Sequence, residues 1–85
     1  LELIGSIEAA RRASRQLAIL NDAVASAHFT CAQLTRLITP ILDGGDRLEA
    51  VRIALPVLLD PGNAHLLEEA FTFRGDQKRL QRIFE

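Results

Sequence analysis

Tryptophan, tyrosine and methionine are absent from these 85 residues, cysteine occurs once, and four phenylalanines are the only aromatic side chains. A single thiol, Cys31, cannot close an intrachain disulfide, so no covalent staple is available and an intracellular, reducing setting, cytoplasmic or nuclear, is the expectation. The shortage of aromatics, together with the lack of any nucleic-acid docking motif, counts against a nucleic-acid-binding domain. No uninterrupted apolar run is long enough to cross a bilayer, and nothing resembles a signal peptide, so no membrane role is expected. An excess of charge is missing too. Ten basic and eleven acidic residues leave a net charge of -1, which gives no bulk attraction to polyanions. The lack of Met in a chain that begins at Leu1 predicts that residues 1–85 are one domain of a longer protein.

What the chain does contain is a globular balance, 48% hydrophobic and 25% charged, which is not the composition of a disordered tail. A domain of this length buries only about 60–65% of the surface its unfolded chain exposes, so apolar positions must be used economically. Their spacing is helical throughout, with no sustained alternation of the half-buried strand type. The fold class is therefore all-α, with about six short helices. Leu3, Ile7 and Ala10 mark the first. The run Arg11 to Arg15 either continues it or interrupts it with Ser14 as the next N-cap, and the break is preferred. Leu17, Leu20, Val24 and Ala27 carry a second helix, and Thr30-Cys31-Ala32-Gln33 has capping-box spacing for the start of a third. That helix buries Leu34, Leu37, Ile38 and Ile41, is expected to bend at Pro40, and should close on Gly44-Gly45. Asp46 and Glu49 then open a fourth, Asp60-Pro61-Gly62-Asn63 separates it from a fifth, and Asp76 is expected to cap a sixth. The fifth presents Leu66, Leu67, Ala70 and Phe71 to the core, the sixth Leu80, Ile83 and Phe84.

A weak internal repeat turns this list into an architecture. A shift of 31 places Leu3 under Leu34, Ile7 under Ile38, Leu17 under Leu48 and Leu20 under Val51. A shift of 32 places Leu34 under Leu66, Ile38 under Ala70, Arg47 under Arg79 and Leu48 under Leu80. Three tandem antiparallel helical hairpins follow, as a compact bundle or short solenoid, with an irregular bundle as the alternative. The fourth helix would be the middle one. It carries two apolar stripes, Leu48, Val51, Leu55 and Leu58 on one side and Ala50, Ile53 and Val57 on the other, and Pro56 should kink it. Leu34, Ile38, Leu48, Val51, Leu55 and Leu66 are the strongest core candidates. The second stripe is either core or a docking surface.

Reactive chemistry has few starting points. Cys31 with His28 and His65 is the one candidate nucleophile-and-base set, and a small packed side chain is the plainer reading of the cysteine. Two His and one Cys lack a fourth zinc ligand, Asp60 to Asn63 lacks the ligand spacing of a calcium loop, and no Lys, Ser or Thr follows Gly44-Gly45 as a phosphate loop needs. The expectation is no enzyme activity, no catalytic residues, no metal and no cofactor.

Charge placement says more. Residues 21 to 71 hold seven acidic and three basic side chains, whereas residues 72 to 85 hold four basic and two acidic ones. Lys78 and Arg82 lie one helical turn apart on the side of the sixth helix away from its core residues, with Arg79 beside them and Arg74 just before. Nine of the ten basic residues are Arg, which suits bidentate contacts to carboxylate or phosphate. The functional expectation is a protein-interaction or scaffolding module, with Ile53, Val57, Arg74, Lys78, Arg79 and Arg82 as partner-binding residues. A protein partner is favoured, self-association is a second route, and binding of nucleic acid or another anionic partner through the C-terminal basic face is the alternative.

The stretches "HFTCAQLTRLI", "GGDRLEAV" and "LLDPGNAHLLEEAFTFRGDQKRLQRI" resemble the helical family called domain of unknown function 4476, itself similar to the amino-terminal region of the proline- and serine-rich chromatin-associated proteins of animals. The resemblance spans nearly the whole chain and is clearest from Phe29 onward. Its motifs are Phe29-Thr30 before a helix and Phe71-Thr72-Phe73 before the charged helix start with Asp76, Lys78 and Leu80. It implies a repeated helical module attached to larger proteins, without established enzyme activity. This chain departs from the pattern in its wealth of Ala and Arg and its lack of Tyr and Trp.

Overall fold

A computed structural model describes residues 2–85, apart from the side chain of Glu2. Its elements are α1 (Glu2–Ala9), α2 (Ala13–Ala23), α3 (Cys31–Ile38), α4 (Gly44–Ala54), a 3-10 turn η1 (Leu55–Val57), a 3-10 segment η2 (Pro61–Ala70) and α5 (Arg74–Ile83). With η1 as the tail of α4, these are the six expected helices. Among the described residues the one β feature is an isolated parallel bridge between Phe29 and Leu58, in which the Phe29 N–H donates to Val57 O at 3.1 Å and the Leu59 N–H to Phe29 O at 2.8 Å.

The helices form three hairpins in two layers. α1, α3 and η2 lie side by side in one layer, α2, α4 and α5 in the other, and α4 touches α2, α3 and α5. The shortest dimension, 16 Å, is what two helix layers occupy. Ile7, Leu20, Leu34, Leu37, Ile38, Ile41, Val51 and Leu67 are fully buried between the layers.

One hydrogen bond recurs in every hairpin. The fourth residue of each second helix reaches back six residues to the loop carbonyl before it: Gln16 Nε2 donates to Ala10 O at 3.2 Å, Arg47 Nε to Ile41 O at 2.5 Å, and Gln77 Nε2 to Phe71 O at 2.9 Å. Two of these side chains also reach forward to the end of the next hairpin's first helix, Gln16 to Pro40 O at 3.4 Å and Arg47 to Ala70 O. Carbonyls at helix ends lack intrahelical partners, so these donors satisfy groups that would otherwise be orphaned. Gln16, only 6% exposed, is the one buried polar residue of the described chain, and with a third contact, to Ile7 O at 3.2 Å, its two Nε2 hydrogens are shared among three carbonyls.

This joint corrects several expected helix starts. α2 begins at Ala13 with Arg12 in the N-cap position and no side-chain cap, so Ser14 is not the cap. α5 begins at Arg74 with Phe73 in that position, and Asp76 sits in the first turn instead of capping. The anchoring of Gln16 and Gln77 sets both starts, overriding local capping preference. α4 begins at Gly44, because the Asp43 carboxylate accepts the Asp46 N–H at 3.1 Å and caps the helix from three residues upstream. Gly44 and Gly45 are therefore helical, no described glycine has positive φ, and they do not close α3. α3 itself carries the expected capping box, Thr30 with Gln33. It stops at Ile38 without bending, since Pro40 has no N–H to continue the ladder.

Two core expectations are corrected as well. Leu55 is half-exposed and outside the core cluster: α4 ends at Ala54, since Pro56 has no N–H to offer the Arg52 carbonyl, and Leu55 is the residue that follows the last helical turn. Leu66 is half-buried while Leu67 and Ala70 are buried, since residues three apart share a face in a 3-10 helix. The 31-residue repeat thus holds between the first two hairpins, where Ile7 and Ile38, and Leu20 and Val51, are equivalent buried pairs. A single 32-residue shift does not describe the third. Its core residues Leu67, Ala70 and Phe71 fall 33 after Leu34, Leu37 and Ile38, whereas its clamp Gln77 falls 30 after Arg47.

Two glycines give unequal predictions. A Cβ on Gly44 would lie 2.2 Å from Asp76 Oδ2, the end of a side chain that swings aside to make room, so Gly44→Ala is expected to stay within about 0.5 kcal/mol of the parent. Gly5, exposed in α1 with open space around a Cβ, should gain about 0.5–1 kcal/mol as Ala. Urea unfolding of the two variants checks both.

Candidate functional site

The polar side chains facing inward serve the backbone. Thr35 Oγ1 donates to Cys31 O at 2.8 Å and lies 3.2 Å from Leu66 O, tying α3 to η2. Asp60 Oδ1 accepts the Cys31 N–H at 2.7 Å, so a carboxylate from beyond α4 occupies the amide end of α3. The Cys31 thiol is buried and donates to Asp60 O at 3.2 Å. Burial first, and then the Asp60 carboxylate and its hydrogen bond, push the thiol from 9.0 up to about 11, away from the thiolate a nucleophile needs. His28 and His65 are both exposed, and the thiol is committed to Asp60. Among the described residues no group of three or more His, Cys, Asp or Glu side chains could hold a metal ion, and no helix is long and apolar enough to cross a membrane.

The same pair gives a pH prediction. Hydrogen bonds from the Asn63 side chain and then from the Cys31 N–H hold Asp60 below its ordinary 3.8, so its contribution to stability is present above 3.8 and lost as pH falls through the lower folded value. Cys31, raised from 9.0 to about 11, contributes stability that is intact below 9.0 and lost as pH climbs through that interval. Urea midpoints measured against pH should decline at both edges. Asp60→Asn should flatten the acid limb and Cys31→Ala the alkaline one.

Five basic side chains share the outside of the second layer. Arg74, Lys78, Arg79 and Arg82 are exposed on α5 and Arg52 on α4, while Ile83 is half-buried between them and the core. Arg52, Arg79, Arg82 and Ile83 together line one open hollow of about 350 Å³. Arg52 pairs with Glu49 at 3.3 Å and Arg79 with Asp76 at 3.4 Å, each within its own helix and each a single exposed contact. Such pairs are worth about 0–1 kcal/mol and leave the guanidinium groups available. Arg82 forms no ion pair among the described residues. Ile53 and Val57 are half-buried and pack on the core, and Ala50 and Ala54 on the same helix are fully buried, so α4 is apolar-packed over most of its circumference. Arg74 and Lys78 lie outside the hollow. Arg52, which was not among the residues expected to bind a partner, joins the α5 arginines across the helix boundary. No spacing rule connects residues 52 and 82.

A second hollow, of about 460 Å³, lies between the first two hairpin loops and is lined by Glu8, Arg11, Gln16, Leu42, Asp43 and Asp46 among others. Leu42 at its edge is 93% exposed, and Phe73, in the third loop, is 72% exposed.

A two-layer stack of three helical hairpins, clamped through loop carbonyls and with a basic outer face on α4 and α5, defines the class: a small all-helical repeat module. The chain belongs to the family described as Domain of unknown function (DUF4476), whose model matches residues 2–84. No curated protein and no solved structure matches it.

Proposed function

We propose that this domain is a non-catalytic, helical protein-interaction or scaffolding module that engages its partner through the outer surface of α4 and α5. The observation that carries this reading is the division of labour among polar side chains: those that converge are committed to backbone groups, while five basic residues, two of them in single exposed ion pairs, cluster on one outer face. The buried, protonated Cys31 fits a reducing compartment, cytoplasm or nucleus. Half-buried Ile53 and Val57 contribute their exposed edges to the contact and their inner faces to the core.

Affinity capture on the immobilised domain, with Lys78→Glu combined with Arg82→Glu as the comparison, tests it. Charge reversal at two exposed positions is expected to slow partner association by about tenfold while leaving the thermal melt nearly unchanged. Capture that survives this double variant refutes the α5 surface. Salt-sensitive binding to random duplex DNA, lost in the same variant, would instead make the basic face a nucleic-acid contact.

A further inference from the structure

We infer that the hollow between α4 and α5 is a carboxylate-binding site, in which Arg52, Arg79 and Arg82 receive an acidic segment of a protein partner over the apolar floor of Ile83. The inference rests on the interaction-module reading and adds to it the chemistry of the partner. The α4–α5 hollow is lined by no acidic side chain, and three of its four lining residues carry guanidinium groups. Arg52 and Arg79 each hold a carboxylate of their own helix, Glu49 and Asp76, in a single exposed contact that an incoming carboxylate can replace, and Arg82 adds a charge with no ion pair among the described residues. Guanidinium forks match carboxylates bidentately, whereas the sole lysine of the chain, Lys78, stands outside the hollow.

Ile83 gives the site a second requirement. It is half-buried against the core and forms the floor, so an occupant that offers an apolar side chain between its acidic ones buries that side chain at the same time. An amphipathic helix or turn with Glu or Asp on either side of a Leu has this pattern. A nucleic-acid backbone fits less well. It needs a long basic stripe and stacking faces, while this chain has a net charge of -1 and no Tyr or Trp, and its middle section is acidic.

The probe is a fluorescently labelled helical peptide with Glu at i, i+3 and i+7 and Leu at i+4, compared with the same peptide carrying Gln for Glu, titrated by anisotropy at low ionic strength. The Glu peptide is expected to bind about tenfold more tightly than the Gln peptide, the sum of a few exposed charge contacts. Arg52→Gln with Arg82→Gln should remove that preference, Lys78→Gln should leave it within about twofold, and the melts of both variants should match the parent. Equal binding of the Glu and Gln peptides, or a preference that survives Arg52→Gln with Arg82→Gln, overturns the inference. So does an oligonucleotide of equal charge that displaces the peptide more effectively than unlabelled peptide does. If the peptides fail while affinity capture still depends on Lys78 and Arg82, the interaction module stands and only the carboxylate site falls.

Discussion

Replacing Arg47 with Ala is expected to cost the domain about 3 kcal/mol, and replacing it with Gln about half as much. Its guanidinium donates through three nitrogens to three carbonyls, Ile41 O at 2.5 Å, Thr39 O at 2.6 Å and Ala70 O. Hydrogen bonds to a charged group contribute about 1.5–3 kcal/mol each when isolated from water, and the half-exposed setting of Arg47 lets water recover part of the loss. Gln stands at the matching place in the first and third hairpins and makes the same reach to the carbonyl six residues back. Arg47→Gln should therefore keep the bond to Ile41, lose that to Thr39, and hold Ala70 O at best as loosely as Gln16 holds Pro40 O at 3.4 Å. Urea denaturation followed by circular dichroism orders the three proteins. A Gln variant as unstable as the Ala variant would show that the six-residue reach contributes nothing.

The other large effect is in the core. Leu34→Ala removes a fully buried side chain from α3, in the central hairpin, and should cost about 2–5 kcal/mol, the transfer term plus the cavity left behind. Leu55→Ala should cost about 1 kcal/mol or less, because Leu55 is half-exposed and lies outside the core cluster. A domain of this size has a total stability of about 4–13 kcal/mol, so the Leu34 variant would be substantially unfolded at physiological temperature if the parent lies at the low end. Equal losses at Leu34 and Leu55 would contradict the placement of Leu55 outside the core.

Apolar spacing was enough to read the all-α class, the hairpin count and the 31-residue repeat, because helices with Ile7, Leu20, Leu34, Ile38 and Val51 at buried positions need little tertiary context to be recognised. Capping was legible where it is local: Thr30 and Gln33 are three residues apart and satisfy each other. It was not legible where the partner is remote. Nothing near Asp60 in sequence announces that its carboxylate belongs to the Cys31 amide 29 residues earlier. The face of η2 was legible too: Leu67, Ala70 and Phe71 are buried as their spacing implies, and Leu66 beside them is half-buried against the core. The basic residues of the candidate site were visible individually, and their grouping into one hollow with Arg52 depended on the packing of α4 against α5. Arg47 was set beside Arg79 by the 32-residue shift, when its true counterpart is Gln77.

The clamp side chains also give the stack a direction. Gln16 grips its own loop and the hairpin that follows it, and Arg47 does the same, so each joint is built from the donor of one unit and the carbonyls of the next. Both interfaces therefore share the middle hairpin. Either end hairpin can open while the other two stay engaged, but the middle one cannot open without releasing both neighbours, as in a linear array coupled only between nearest units. Binding energy delivered to α4 and α5 would stabilise the joint between the last two hairpins first, leaving α1 and α2 free to breathe independently of the occupied face.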